Sequence, residues 1–177
     1  MIRITGGTHR GRSLPAPVPA SARPTAGRVR EALFSIVGQD LSGWSVLDPC
    51  GGSGLVALEA ASRGAAPVFV YERDVSAAAA VRRNAEGLGL AITLRVADSR
   101  RSPLPEAEFV YLDPPYREDI AGWLLHVAPC ARRLLVAEAR AGTAWPELPG
   151  FARERERAYG DTVLAVYVRM DGGVAAR

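Results

Sequence analysis

Short apolar runs along this chain alternate with longer segments in which apolar residues recur at helical spacing. Each short run is bounded by turn residues, which is the pattern of a buried strand. Strands that alternate with helices pair in parallel, so the pattern predicts an α/β fold, a parallel sheet with helices on both faces. The predicted strands are 45–47, 68–71, 92–96, 109–112 and 134–137, and the predicted helices are 55–63, 75–86 and 120–127.

The predicted helices carry recognisable start and stop signals. Asp74 is placed to cap the helix at 75–86, because its carboxylate can accept a hydrogen bond from a free N–H of the first turn. Gly87 and Gly89 follow that helix and are predicted to end it. Gly64 is the predicted stop of the preceding helix.

The first 40 residues are predicted to form a small extension of the fold. Residues 1–14 alternate loosely around glycines and indicate a β-hairpin, and the proline-rich segment 15–22 indicates an extended linker. A helix is then expected to begin at Thr25 as N-cap. Its apolar stripe leaves Arg28 and Arg30 facing outward. The stripe consists of Val29, Leu33, Ile36 and Val37.

The end of the chain predicts an antiparallel hairpin. Residues 152–158 alternate in charge sign, which suits an edge strand because charged edges discourage aggregation. Residues 162–170 are continuously apolar and belong inside the sheet. We expect a single domain over 1–177, with an extension at 1–40 and a core at 41–177.

Composition narrows the class of protein. A chain of 177 residues that is 48% hydrophobic and 23% charged has the profile of a soluble globular domain. The sequence has no run long enough to span a membrane and no signal-peptide pattern, so the expected location is the cytoplasm. Cys50 and Cys130 lie far apart without ligand-like neighbours, which argues against a disulfide framework and against a metal site.

The basic residues are unevenly distributed. The net charge is only +3, yet six arginines and no acidic residue fall in the first 30 positions. Arginine's planar guanidinium suits phosphate contacts and base stacking, so this block predicts a nucleic-acid contact. The six are Arg3, Arg10, Arg12, Arg23, Arg28 and Arg30.

A glycine-rich turn follows the first predicted strand and precedes a helix. Asp48 ends the strand, and Gly51, Gly52 and Gly54 let the backbone approach a ligand closely. The spacing is Asp-x-x-x-Gly-x-Gly, which differs from a dinucleotide fingerprint, and a carboxylate before the turn suits a cofactor with a positive amino-acid or sulfonium portion. S-adenosylmethionine fits that description better than NAD. Glu72 ends the next predicted strand, where it can accept hydrogen bonds from ribose hydroxyls.

A second motif, Asp113-Pro114-Pro115-Tyr116, follows the strand at 109–112. Asp113 and the Pro114 carbonyl are two acceptors that can hold both hydrogens of one exocyclic amine, and Pro115 stiffens the turn. Tyr116 offers a flat face on which a base can stack. Such a grip aims the nitrogen lone pair at an electrophilic methyl group by position and electrostatics, without a strong base.

At these motifs the chain resembles the RsmD-type 16S ribosomal RNA guanine-N2 methyltransferases, nearly from end to end. The Asp-Pro-Pro-Tyr motif is shared with adenine-N6 enzymes, so it indicates amine chemistry and leaves the base open. The arginine-rich N-terminal block is the more family-specific mark. The resemblance is carried by Arg3-Ile4-x-Gly6-Gly7 with Gly11-Arg12, Arg23-Pro24-Thr25-x-x-Arg28-Val29-Arg30-Glu31, Leu47-Asp48-x-x-x-Gly52-Ser53-Gly54, Glu72-x-Asp74, Asp113-Pro114-Pro115-Tyr116 and Tyr159-Gly160-Asp161-Thr162.

The resemblance implies a class I methyltransferase (Rossmann-like) fold with a mostly parallel seven-stranded sheet whose last strand is antiparallel. It implies methyl transfer from S-adenosylmethionine to a guanine of 16S rRNA, on an assembled or assembling small subunit, by a monomer. The implied residues are Asp48, Gly51, Gly52, Ser53, Gly54, Glu72, Asp98 and Ser99 for the cofactor, Asp113, Pro114, Pro115 and Tyr116 for the target base, and Arg10, Arg12, Arg23, Arg28 and Arg30 for RNA.

Within the cofactor part, Asp48, Gly52 and Gly54 would hold the methionine portion, Glu72 the ribose and Asp98 the adenine. The family usually has an aromatic residue and an alanine where Cys50-Gly51 stand, which predicts a looser turn and weaker cofactor binding here. The segment between Tyr116 and the strand at 134–137 is short, which leaves open whether a substrate-side lid is present.

Three other functions remain open at this point. An adenine-N6 enzyme acting on DNA or RNA would use the same chemistry, although 177 residues leave no separate target-recognition domain. A non-catalytic nucleic-acid-binding relic is disfavoured by the intact Asp48, Glu72 and Asp113. A dehydrogenase is disfavoured by the spacing of the glycine turn. The two cysteines are not placed to attack a base, and we assign no chemistry to His9 and His126.

Overall fold

A computed structural model describes residues 2–15 and 27–170, with the side chain of Ile2 left out. The strands are β1 Ile2–Arg3, β2 Ser13–Leu14, β3 Val46–Asp48, β4 Val68–Glu72, β5 Thr93–Val96, β6 Ala107–Leu112, β7 Ala131–Arg140, β8 Phe151–Tyr159 and β9 Thr162–Arg169. The helices are α1 Gly27–Val37, α2 Leu55–Ser62, α3 Val75–Leu88 and α4 Ile120–Val127. Short 3-10 helices occupy Gly7–His9, Ser99–Arg101 and Ala128–Cys130.

Seven strands form one sheet in the order β5-β4-β3-β6-β7-β9-β8. The chain starts in the middle at β3, moves outward through β4 and β5, and then crosses to β6 on the other side of β3. The crevice at such a change of direction, at the carboxyl ends of the strands, is where this kind of sheet binds ligands. Strand β9 runs antiparallel to both of its neighbours, as the resemblance implies.

The core lies in two layers, one on each face of the sheet. On one face, helices α1 and α2 pack on apolar side chains of β3, β4, β6, β7 and β9. On the other face, helix α4 packs on the alternate residues of the same central strands. The two-stranded sheet of β1 and β2 buries Ile4 and Leu14 against Leu58 of α2 and Leu88 of α3. None of the helices in the described ranges is long and apolar enough to cross a membrane.

The predicted elements are present, and several of their bounds differ from the prediction. Helix α3 continues through Gly87 to Leu88, and it ends at Gly89, whose φ of +66° is the left-handed conformation that glycine adopts freely. The prediction that Gly87 helps to end the helix is therefore wrong. Strand β7 is longer than the predicted 134–137 because it pairs with β9 as far as Arg140.

The terminal hairpin lies where the charge pattern predicts. Strand β8 is the edge of the sheet, and residues 152–158 are all exposed. Strand β9 is the apolar inner partner, with Val163–Tyr167 buried. The division of the chain at residue 40 stays a prediction, and the predicted cap Thr25 and most of the linker 15–22 lie outside the described residues.

Arg30 is buried, and the prediction that it faces outward is wrong. Its Nε lies 3.2 Å from Oε2 of Glu59, and its Nη2 donates to the Arg3 carbonyl at 2.6 Å. Glu59 also pairs with Arg63 at 2.7 Å and accepts hydrogen bonds from the backbone and hydroxyl of Thr5. The apolar stripe of α1 faces α2, so Arg30, at the margin of that stripe, reaches the buried Glu59 carboxylate. Through Glu59 and the Arg3 carbonyl, Arg30 links α1 to α2 and to the N-terminal hairpin.

Candidate active site

A cavity of about 940 Å³ opens at the carboxyl ends of the parallel strands. Seven acidic side chains line it, and five of them lie in the last three residues of a different strand or within two residues after it. The glycine turn forms one wall and the Asp-Pro-Pro-Tyr loop forms another, so the fold brings the two predicted motifs together. The five acids are Asp48, Glu72, Asp98, Asp113 and Glu138.

The glycine turn packs tightly against its neighbours. A Cβ on Gly51 would lie 2.5 Å from Cγ1 of Val70, and the Gly51 N–H donates to the Tyr71 carbonyl at 2.8 Å. The space that an alanine would need is therefore filled by β4, which contradicts the expectation of a looser turn. Gly52 and Ser53 line the cavity, as predicted for cofactor contact.

Gly54 was predicted to contact the cofactor, but it does not line the cavity. A Cβ on Gly54 would meet Cγ1 of Val81 at 2.6 Å. Its φ of +70° turns the chain into α2, and its missing side chain lets α3 pack closely there. Gly54 thus shapes the turn by packing, while its neighbours face the ligand space.

Asp48 is a buried carboxyl without a cationic partner among the described residues. It is 2% exposed, and its Oδ1 accepts a hydrogen bond from the Cys50 N–H at 3.2 Å. Burial raises the pKa of Asp48 to about 7, and the nearby Glu72 carboxylate adds to the increase. A positive ligand group placed beside Asp48 would stabilise its ionised form.

Glu72 is held in a fixed orientation at the tip of β4. Its Oε2 accepts the Gly52 N–H at 2.7 Å, and its Oε1 accepts the Asp74 N–H at 2.7 Å. The carboxylate therefore connects the glycine turn with the cap of α3, on the cavity wall. This is the position expected for an acceptor of ribose hydroxyls.

Asp98 and Ser99 both line the cavity after β5, but their side chains are engaged in the fold. Asp98 caps a 3-10 helix by accepting the Arg100 N–H at 3.0 Å. Ser99 is buried, and its hydroxyl donates to the Pro49 carbonyl at 2.6 Å, which ties β5 to the glycine turn. Ser99 thus positions one wall of the cavity.

The four residues of the Asp-Pro-Pro-Tyr loop all line the cavity. Asp113 is half-buried, Pro114 is buried, and the Tyr116 ring is 37% exposed. The Arg140 guanidinium carbon lies 5.0 Å from the centre of the Tyr116 ring. The loop thus places an aromatic ring, a carboxylate and two prolines at one cavity, and their role in binding a base stays a prediction.

A short loop beyond Tyr116 reaches across the cavity. Glu118 lies 3.6 Å from Arg73, which follows β4, and 3.3 Å from Arg100, which follows β5. It also accepts the indole N–H of Trp123 at 2.7 Å. These contacts fix the segment after Tyr116 at the cavity wall.

Glu138 and Tyr111 are among the cavity residues to which the sequence analysis assigned no role. Glu138 is 4% exposed and lines the cavity beside Asp113, and the Tyr111 hydroxyl donates to its Oε2 at 2.5 Å. Burial raises the pKa of Glu138, and the hydrogen bond from Tyr111 acts in the opposite direction. The sequence feature that could have identified Glu138 is its position directly after the predicted strand 134–137, as for Asp48 and Asp113 after their strands.

Cys50 also lines the cavity. The state of its thiol is consistent with the prediction that it does not act as a nucleophile. Burial raises the pKa of the Cys50 thiol well above its usual value, and the carboxylate of Asp48 adds to this. The thiol therefore stays protonated and weakly nucleophilic at neutral pH.

The predicted RNA-contacting arginines are not gathered at the cavity. Arg10 and Arg12 are exposed on the N-terminal hairpin. Ser62 and Arg63 contact this hairpin at the C-terminal end of α2. That end of the helix lies about 12 Å, the length of α2, from the glycine turn. Arg28 is exposed in the first turn of α1. Arg23 lies outside the described residues.

Known proteins are similar to this chain in sequence and in fold. The family model described as "Conserved hypothetical protein 95" matches residues 2–168. The "Ribosomal RNA small subunit methyltransferase D" of Escherichia coli K12 is 31% identical over 95% of this chain and 90% of its own length. The YlbH protein of Bacillus subtilis is 32% identical over 94% of this chain and 98% of its own.

A solved structure extends the likeness to three dimensions. The Escherichia coli protein yhhF superposes with a TM-score of 0.83 and 28% identity over 95% of this chain and 97% of that one. The fold and the cavity at its switch point are those of the class I methyltransferases. Within that class, the chain belongs to the Conserved hypothetical protein 95 family, which includes the RsmD rRNA methyltransferases.

Proposed function

We propose that this protein transfers a methyl group from S-adenosylmethionine to the exocyclic N2 amine of a guanine in small-subunit rRNA. The observation that carries the proposal is one cavity lined by both the glycine turn with Asp48 and the Asp-Pro-Pro-Tyr loop. Its relatives named as rRNA methyltransferases support RNA as the substrate. The substrate would be an assembled or assembling small subunit, met in the cytoplasm by a monomer.

The residues of the cavity fit S-adenosylmethionine, which supplies an electrophilic methyl group. The buried carboxyl of Asp48, which has no cationic partner among the described residues, would hold the positive amino-acid portion, because that ligand group would supply the missing counter-charge. Glu72 would accept from the ribose hydroxyls, and Asp98 would contact the adenine.

The Asp-Pro-Pro-Tyr loop would bind the target base. Asp113 and the Pro114 carbonyl would accept the two N2 hydrogens, and Tyr116 would stack on the ring, a contact worth about 1–3 kcal/mol. The grip would orient the nitrogen lone pair, and catalysis would come mainly from position. The proton that the methylated amine releases would pass to Asp113 or to water.

The exposed arginines at the N-terminus would bind the RNA backbone. Arg10 and Arg12 on the hairpin and Arg28 on α1 are the described candidates, and Arg23 remains a candidate outside the described residues. Arg30 is withdrawn from this set because it is buried against Glu59. The hairpin's distance from the cavity would let it contact RNA away from the reacting base.

The test is methyl transfer from labelled S-adenosylmethionine to under-methylated small subunits, naked rRNA and duplex DNA, with products identified by mass spectrometry. We expect N2-methylguanosine from the subunits. N6-methyladenine would overturn the substrate, and cofactor binding without any transfer would overturn the enzymatic role. Asp113→Ala should abolish transfer with cofactor affinity nearly unchanged, whereas Asp40→Ala, in an exposed loop, should leave both intact.

A further inference from the structure

Glu138 stands beside the motif that would hold the reacting amine. Leu112 of β6 pairs with Ala137 of β7. The next residues along these two parallel strands, Asp113 and Glu138, therefore lie side by side toward the carboxyl ends of the strands. Neighbouring strands are about 4.8 Å apart, which puts two carboxyl groups along one base-sized wall. Both line the main cavity, and Glu138 also lines a smaller one beneath Pro114 and Tyr116.

The carboxyl of Glu138 is oriented from within the fold. The Tyr111 hydroxyl, from the strand that carries Asp113, donates to Oε2 at 2.5 Å. A carboxylate has two oxygens and accepts hydrogen bonds at both. Because Tyr111 engages one oxygen from the protein side, the other is suited to a ligand on the cavity side. A buried carboxyl in a ligand cavity, held by a neutral donor, is suited to a hydrogen-bond donor of the substrate.

We propose that Glu138 reads the target base, by accepting the N1–H of guanine next to the N2 amine held by Asp113. This inference rests on the proposed function. In guanine, the atom adjacent to the reacting amine on the same edge is the N1–H donor. In adenine, the atom adjacent to the N6 amine is N1, which is an acceptor. In its ionised form, the Glu138 carboxyl accepts from guanine and repels the N1 acceptor of adenine, so Glu138 sets the choice that the Asp-Pro-Pro-Tyr motif leaves open.

The test uses a base that keeps the reacting amine and lacks the hydrogen on N1. 2-Aminopurine has the exocyclic amine at C2, but its N1 is an acceptor. Small subunits are reconstituted with guanine or 2-aminopurine at the nucleotide identified by the assay above, and kcat/KM is measured on both. We expect the wild-type protein to prefer guanine by about tenfold or more, the usual effect of one hydrogen bond to a charged group.

Glu138→Gln tests the assignment to this residue. If the amide oxygen accepts from Tyr111, the amide NH₂ faces the cavity and donates to N1 of 2-aminopurine, so the preference should disappear or reverse. S-Adenosylmethionine affinity should stay near the wild-type value. Glu106→Gln is the matched control, because Glu106 is exposed and pairs with Arg132 away from the cavity, and it should keep the wild-type preference.

The outcomes separate the two proposals. A wild-type protein that methylates no guanine at N2 overturns the proposed function. A wild-type protein that methylates guanine and 2-aminopurine equally overturns the role of Glu138, even if the variant does not fold. A Glu138→Gln protein that binds cofactor and loses rate equally on both bases also overturns it, because that result means Glu138 only supports the fold.

Discussion

Two buried carboxylates in this protein, Glu59 and Asp48, have opposite surroundings. Glu59 is 0% exposed and lies between Arg30 and Arg63, with Thr5 donating to it as well. Asp48 is 2% exposed, accepts a hydrogen bond from the Cys50 N–H, and has an acid, Glu72, nearby. A buried charge is costly unless it is paired, so Glu59 is complete within the fold, whereas Asp48 has no cationic partner among the described residues, which fits the ligand role proposed for it.

The largest effect is expected at Glu59. Glu59→Gln leaves two buried arginines without their counter-charge, so we expect a loss of about 3–5 kcal/mol in the free energy of unfolding. Urea unfolding followed by circular dichroism measures it. Glu154→Gln, on the exposed edge strand, is the control and should change stability by less than about 0.5 kcal/mol. A loss below about 1 kcal/mol at Glu59 would show that the network does not hold the extension in place.

Asp48→Asn should weaken cofactor binding without lowering stability, whereas Glu59→Gln should lower stability. Cofactor affinity should fall about 10–100-fold, since a hydrogen bond to a charged group contributes about 1.5–3 kcal/mol, and calorimetry measures this. Stability without cofactor should not fall. The folded pKa of about 7 exceeds the usual 3.8, so ionisation of Asp48 destabilises the native state as pH rises from about 4 to 7.

The variant should therefore be more stable than the wild type above pH 7, and this advantage should disappear below pH 4. A variant that is less stable at pH 8 would mean that Asp48, like Glu59, is part of the structural framework.

The same pKa predicts a pH dependence of cofactor binding. A positive ligand group requires ionised Asp48, so affinity should rise by up to tenfold per unit between pH 5.5 and about 7 and then level off. Isothermal titration across pH 5.5–7.5 measures the profile. Asp48→Asn should flatten it, and a profile that is already flat in the wild type would contradict the assignment of Asp48 to the cationic portion.

The smallest effect is expected at the exposed arginines. Arg28→Glu should weaken RNA binding and reduce the slope of log affinity against log salt by about one, the effect of losing a phosphate contact. Filter binding at several salt concentrations measures the slope. Arg82→Glu, exposed on α3, is the matched control and should leave the slope unchanged. An unaltered slope at Arg28 would make that residue an ordinary solvated side chain.

Much of the site could be predicted because its acidic residues directly follow apolar runs that are recognisable as strands. An apolar run followed by Asp48 or Asp113 indicates both a buried strand and a group at its tip, and parallel pairing then gathers those tips at one edge. Glu138 follows the predicted strand 134–137 in the same way. It was missed because an acid in that position has no family motif around it.

The chain itself determined the order of strands and helices, the charged edge strand and the two ligand-facing motifs, because periodicity and turn chemistry are local. Tertiary structure decided the roles of individual side chains. Helical periodicity could not show that Arg30 meets Glu59, since the two residues lie 29 positions apart. Nor could it show that Gly54 makes room for Val81 or that Tyr111 orients Glu138. These roles depend on which distant residues pack together, and only the folded chain brings them into contact.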